Sequence, residues 1–235
     1  MQVESTLLFE TPEEIFKRVF RLLKPRTPVP AVRVDFRKFA NANSSIRLEN
    51  GRLAVKITDL LEGAPAPILE ALAYILLCKL YRKPVPAMYS HRYRLYFNRR
   101  DMRTNLHAVR QTRGRKMMTE AQGNYFDLEE IFQELNFRYF FGLMSQPQLG
   151  WSRRPSRTTL GHYDPSHNVI VISSVLDGPG VPRIAVEYVM FHEMLHLRHP
   201  AEHRGARRCV HTPEFKQAEK EFDRVEEAKK LLKRI

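Results

Sequence analysis

Two histidines stand four residues apart, with an acid directly after the first, in His192-Glu193-Met194-Leu195-His196. On a helix, positions i and i+4 project from one face. Two imidazoles so placed can share one metal ion through ring nitrogens at about 2.0–2.1 Å. Glu193 lies roughly 100° round the helix from His192, so it does not ligate. It is placed instead to take a proton from a water on the ion and to pass it to a leaving nitrogen in amide hydrolysis. Zinc suits this work because it lowers the pKa of its water toward about 7. An open zinc site wants a third protein ligand, and the candidates are His199, His203, His211 and Glu214. Pro200 breaks any helix between His199 and His203, and His199 reads as a surface histidine. His211 heads a last helix through His211-Thr212-Pro213-Glu214-Phe215, and a loop containing Gly205 can fold that helix start back onto the metal. The ligand set is therefore read as His192, His196 and His211, with Glu214 as the alternative third donor. The plain alternative is a pair of histidines on an amphipathic helix that binds no metal.

The elements that must position these residues follow from spacing and punctuation. Thr11-Pro12-Glu13-Glu14 is a helix start: a cap, a proline at the first helical position and acids at the positive end of the dipole. Ile15, Val19, Phe20, Leu22 and Leu23 recur at helical spacing up to Pro25. Ala31–Phe36 reads as a strand, and Ser45–Leu48 and Leu53–Ile57 flank Glu49-Asn50-Gly51 as a hairpin. Pro67 opens an apolar helix to about Tyr81, and a basic, aromatic helix covers about Met88–Arg99. Arg110–Gly123 has little apolar periodicity and reads as a linker. Asp127–Phe141 is a helix, followed by strands at Leu149–Arg153, Thr159–Tyr163 and Asn168–Ile172, with Asp164-Pro165-Ser166-His167 turning the last pair. Pro182 opens a helix that stops near His199, before Pro200. One further helix is expected from about Pro213 to Leu232.

The same order of elements occurs twice. Glu13-Glu14-Ile15-Phe16 matches Glu129-Glu130-Ile131-Phe132, and Ile57, Leu61, Gly63 and Pro67 match Ile172, Leu176, Gly178 and Pro182 in register. This points to an internal duplication. Where the second half has its His-Glu-x-x-His, the first has Leu77-Cys78-Lys79-Leu80-Tyr81, without ligands. The expected domains are residues 1–115, a degenerate repeat ending in a basic segment, and residues 120–235, which carry the metal motif.

Composition sets the wider frame. A 43% hydrophobic fraction over 235 residues fits a globular chain with a packed core. The formal net charge of +13 draws the protein to polyanions. From His91 to Lys116 there are nine Arg or Lys (92, 94, 99, 100, 103, 110, 113, 115 and 116) against the single acid Asp101, so residues 92–116 are the candidate DNA contact. Tyr93, Tyr96 and Phe97 are interleaved there; they read as the core stripe of a helix in preference to a stacking platform. Arg198, Arg204, Arg207 and Arg208 add charge close to the metal motif in sequence. Only two cysteines occur, Cys78 and Cys209, so neither a disulfide framework nor a second zinc site is indicated. Met1–Leu8 does not read as a signal peptide, and no run suits a membrane span. The expected setting is cytoplasmic and reducing.

Phe191-His192-Glu193-Met194-Leu195-His196, with His211-Thr212-Pro213-Glu214-Phe215 beginning fifteen residues after the second histidine, resembles the SprT-like family, which includes Spartan. Asn136–Gly142, Leu149-Gly150-Trp151-Ser152, Gly161-His162-Tyr163 and Ile170-Val171-Ile172-Ser173 are similar to that family's helix and three strands, so the resemblance covers about 126–222. It implies a zinc metallopeptidase with His192, His196 and His211 as ligands and Glu193 as acid and base. For Spartan the substrates are proteins crosslinked to DNA. The chain departs from the pattern at Thr212, where the family usually has glycine, and it shows neither a cysteine-rich zinc ribbon nor Spartan's binding tails, so the DNA-repair role does not transfer automatically. The expected fold is α+β: a zincin-like minimal domain of helix, three-stranded antiparallel sheet, His-Glu-x-x-His helix and C-terminal helix, preceded by a degenerate repeat of similar architecture. The expected substrate is a protein or peptide. The rival function is a non-proteolytic, zinc-stabilised module that binds nucleic acid.

Overall fold

A computed structural model describes residues 10–114 and 117–235. Arg115 and Lys116 of the basic segment, and the Met1–Leu8 stretch read for a signal peptide, lie outside the described residues. The chain divides into two compact units: residues up to Gly114 with Gly205–Arg207, and residues from 115 to Arg204 with Arg208–Ile235.

In the first unit, α1 (Pro12–Leu23) begins with a complete capping box. The Thr11 amide donates to Glu14 Oε2 at 2.7 Å, and Thr11 Oγ1 accepts from the Glu14 amide at 3.3 Å. Strands β1 (Ala31–Arg37), β2 (Ser44–Glu49) and β3 (Arg52–Thr58) form a sheet with β3 in the middle, β1 parallel and β2 antiparallel to it. Asn50 (φ 49°) and Gly51 (φ 73°) make the turn between β2 and β3, both left-handed, as a tight two-residue hairpin requires. A 3-10 turn at Asp59–Leu61, capped by Thr58, leads into α2 (Ala66–Leu80), then α3 (Ala87–Phe97) and α4 (Arg100–Arg113). Ile15, Phe16, Val19 and Phe20 of α1 close a core with Leu53, Val55 and Ile57 of β3 and Leu72 and Leu77 of α2. The expected linker is corrected in its first part: residues to Arg113 are helical. Met102, Leu106 and Val109 form the apolar stripe of α4, and it stops before Arg110, so the last turn carries no apolar residue to extend the helix into the expected linker.

The second unit starts with the same order of elements: helix, three strands, 3-10 turn and helix. Leading into it, Met118 bridges Ser152 and Gln122 bridges Asp127, so these two residues of the expected linker are held against the fold. Asp127 caps α5 (Leu128–Phe140) by accepting the Glu129 amide at 2.8 Å. Strands β4 (Gln148–Trp151), β5 (Gly161–Asp164) and β6 (Val169–Ile172) follow, in the order β4-β6-β5. The expected antiparallel sheet is corrected to a mixed one: β4 runs parallel to β6 and only β5 is antiparallel. The long connection between β4 and the β5–β6 hairpin leaves the direction of β4 open, and local spacing does not encode it. A 3-10 turn at Ser174–Leu176, capped by Ser173, precedes α6 (Arg183–Arg198). Short strands β7 (Glu202–Arg204) and β8 (Arg207–Cys209) pair with each other. The single expected C-terminal helix is two: α7 (Pro213–Glu219) and α8 (Val225–Leu232), separated at Arg224, whose φ of 59° is left-handed. The buried stripe of α6, including Val186, Met190, Phe191 and Met194, packs with Ile131 and Phe132 of α5, Ile170 and Ile172 of β6, and Phe215 of α7. No described helix is long and apolar enough to cross a membrane.

Candidate metal centre

His192 and His196 sit one turn apart on α6, and His211 stands next to Thr212, the N-cap of α7. Thr212 takes the position where sequence comparison expected glycine. It is buried and caps α7, its Oγ1 accepting the Phe215 amide at 3.2 Å, so the substitution fixes the helix start beside His211. Each of the three histidines offers a nitrogen, and these atoms all lie within 4.8 Å of one another. The Nε2 atoms of His196 and His211 are 3.3 Å apart. Two ligands at about 2.05 Å on a tetrahedral ion stand roughly 3.3 Å apart, so this edge of the site is already at ligating distance. The donor set, three imidazoles around an exposed face, fits zinc with a position left for water or substrate.

Phe215 provides the floor. Its ring centroid lies 5.0 Å from that of His192, 4.6 Å from His196 and 4.7 Å from His211, so one buried side chain packs against all three imidazoles. His192 is oriented further by Glu219, at the end of α7, whose Oε1 lies 2.7 Å from Nδ1. Burial pushes the Glu219 carboxyl up, but hydrogen bonds from His192 and Tyr188 and the nearby charge of Lys229 leave it below its usual range, so it is ionised and only accepts. The proton between them therefore belongs to His192 Nδ1, and Nε2 keeps its lone pair for a metal. Tyr188 donates to the same Oε1 at 2.9 Å, and Lys229 Nζ stands 3.5 Å from Oε2.

Glu193 is only 6% exposed. Its Oε2 accepts the amide of Tyr163 on β5 at 2.8 Å. Burial pushes its pKa up to about 7 against the lowering effect of that single hydrogen bond. A β-carbon at Gly161 would stand 2.6 Å from Glu193 Oε1 and 2.7 Å from Val189 Cγ1, so the bare backbone of β5 makes the room for this carboxylate. Burial also lowers His196 to about 4, helped by the neighbouring His192 and His211, and lowers His192 despite the opposing pull of Glu219. All these groups bear on a cleft of about 470 Å³ lined also by His162, Pro165, Leu197, Arg208 and Val210.

The other candidates fall elsewhere. His199 ends α6 with its ring edge-on to Phe215 at 6.2 Å, His203 lies on β7, and Glu214 is exposed in the first turn of α7. None joins the three-histidine group, which among the described residues is the one such cluster. Glu219 and Tyr188 were not singled out from the sequence, and Phe215 and Gly161 stood in the quoted motifs without a role of their own. Tyr188 stands one turn before His192 and carried a weak signal; Glu219 was one acid among several near the C-terminus.

In the first unit, Tyr93, Tyr96 and Phe97 pack against the apolar core, as the charge and spacing implied. Arg92 pairs with Glu70, Arg99 with Asp101 and Arg113 with Asp59. Arg94, Arg100, Arg103 and Arg110 are exposed.

No curated protein and no solved structure matches the chain. The model of the SprT-like family does match, over residues 128–232, from the first residue of α5 to the last of α8. The part of the chain that gathers His192, His196 and His211 around Phe215 is a SprT-like domain.

Proposed function

We propose that this domain is a zinc-dependent metallopeptidase of zincin-like arrangement, with His192, His196 and His211 holding the ion and Glu193 acting as general base and then acid. The observation that carries the reading is the buried Glu193 carboxylate beside three converging imidazoles. A zinc that merely stapled the fold would need no such group and would be closed by a fourth side chain. A bound zinc supplies Lewis acidity toward a peptide carbonyl and acidifies water. With Oε2 fixed by the Tyr163 amide, Glu193 Oε1 takes the proton of the attacking water and returns it to the leaving nitrogen. Burial raises this carboxyl in the metal-free site, which favours its holding the proton between the two halves of that exchange. Glu193→Gln should keep full zinc content and lose at least about 100-fold in cleavage of an unfolded protein such as casein, the range of a lost general base. Undiminished cleavage by that variant overturns the mechanism.

DNA-associated proteins are the substrate class we favour. Arg100 and Arg103 of α4 flank a hollow of about 340 Å³ with Thr104 and His107, and Arg110 continues the exposed basic helix. Such a row offers phosphate contacts that weaken as added salt makes the release of the DNA's counterions less favourable. Retention on DNA that falls steeply between 50 and 200 mM salt, and is reduced by Arg100→Glu/Arg103→Glu, is the expected outcome; no retention at 50 mM salt removes DNA as a partner.

We further propose that the two units descend from a duplication. Thr58 and Ser173 each cap a 3-10 turn directly after the central strand, and Leu61 and Leu176 are fully buried at the ends of those turns. With Leu77 and Tyr81 in the places of His192 and His196, the first unit serves as scaffold or binding module.

A further inference from the structure

The chain makes an unusual turn at the end of α5. Phe141, a bulky aromatic, has φ 57°, and Gly142 follows at φ 71°. The left-handed region is unfavourable for such a side chain; here it closes α5, the backbone turning back to the Asn136 carbonyl, while the Phe141 side chain itself is 84% exposed. Leu143, two residues on, is also 84% exposed, and Phe137 on the preceding turn is 80% exposed. The turn is nonetheless held firmly. Asn136, buried at 4%, donates through Nδ2 to the Met144 carbonyl at 2.9 Å and accepts the Met144 amide at 3.1 Å, and the Gly142 amide returns to the Asn136 carbonyl. A buried amide clamp and a strained backbone thus present large apolar side chains to solvent in a fixed geometry.

Phe141 and Leu143 border a hollow of about 510 Å³, lined also by Phe140, Met144, Tyr163, Leu197 and Arg198. Tyr163 and Leu197 also line the three-histidine cleft, so the two recesses share a wall. Tyr163 belongs to both in a second way, since its amide holds Glu193.

We propose that this turn is a rigid apolar subsite which seats one bulky apolar side chain of the polypeptide substrate at a fixed distance from the scissile bond. The proposal rests on the peptidase reading. It makes the preferred substrate an unfolded or extended segment carrying an aromatic or large aliphatic residue, the kind of residue a folded protein keeps inside. The occupant is the same chain that enters the metal cleft, because Tyr163 and Leu197 line both recesses and set them side by side.

The test uses peptide hydroxamates, which anchor on zinc whatever sequence they carry. One series is all alanine; others place a single phenylalanine at successive positions, with the hydroxamate at either end. Binding to the zinc-loaded protein is read by competition against a fluorescent hydroxamate. One phenylalanine position should bind at least about tenfold more tightly than the all-alanine peptide, the order expected when an aromatic ring leaves water. In Phe141→Ser/Leu143→Ser, two exposed positions whose replacement leaves the Asn136 clamp in place, that preference should vanish while the all-alanine affinity holds. If no phenylalanine position matters, or the preference survives the double variant, the subsite is wrong and the metal centre stands. If the all-alanine hydroxamate itself fails to bind, the metal centre is wrong and the subsite falls with it.

Discussion

Glu193 should destabilise the metal-free protein, and by an amount that depends on pH. Its carboxyl is pushed from the usual 4.5 up to about 7, chiefly by burial. A carboxyl raised in the folded state is a liability above the folded pKa, where it must ionise in a poor environment, and is harmless below the unfolded pKa, where both states are protonated. At about 1.4 kcal/mol per pH unit, the penalty is roughly 3 kcal/mol at pH 8 and less than about 1 kcal/mol at pH 5. Glu193→Gln removes the charge and keeps an oxygen able to accept the Tyr163 amide. Urea unfolding of chelator-treated protein should therefore show the variant more stable than the parent by roughly 3 kcal/mol at pH 8, with the difference closing toward pH 5. No gain at pH 8, or an equal gain at both pH values, would refute the picture of a carboxylate ionised against its surroundings.

Other outcomes follow from the same geometry. Glu219→Gln leaves His192 without a charged partner at Nδ1, and zinc affinity by competition with a chelator should fall about 10–100-fold. His211→Ala removes a donor outright and should exceed that range, measured as metal content after dialysis. Gly161→Ala drives a methyl into Glu193 and Val189; thermal unfolding should report a loss of about 1–3 kcal/mol, and replacing Val189 by Ala in the same protein should recover part of it.

Much of this structure could be read locally. Thr11 and Glu14 announced α1, Asn50-Gly51 announced the β2–β3 hairpin, and the interval from His192 to His196 placed two imidazoles on one helix face. What escaped depends on residues far apart in the chain or on faces without apolar pattern. The parallel pairing of β1 with β3 and of β4 with β6 is decided by packing across long connections. The last turn of α4, Arg110–Arg113, has no apolar residue, so the stripe of Met102, Leu106 and Val109 does not mark where the helix ends. The break between α7 and α8 falls at Arg224, a residue type that gives no warning of a left-handed backbone. In the site, His211 was reached because a proline-headed helix start marked it, whereas Glu219 gains its role only when α7 folds against α6.

Glu219 also reaches beyond the histidine it orients. Through Oε1 it holds Tyr188 and His192 of α6, and through Oε2 it meets Lys229 of α8. Ala228, beside Lys229, is fully buried. Anchoring of the C-terminal helix and occupancy of the histidine cluster therefore draw on one carboxylate, and by reciprocity each must bias the other. Amide hydrogens of α8 should exchange more slowly once the ion is bound, and trimming the chain before Lys229 should loosen the ion's hold from a distance.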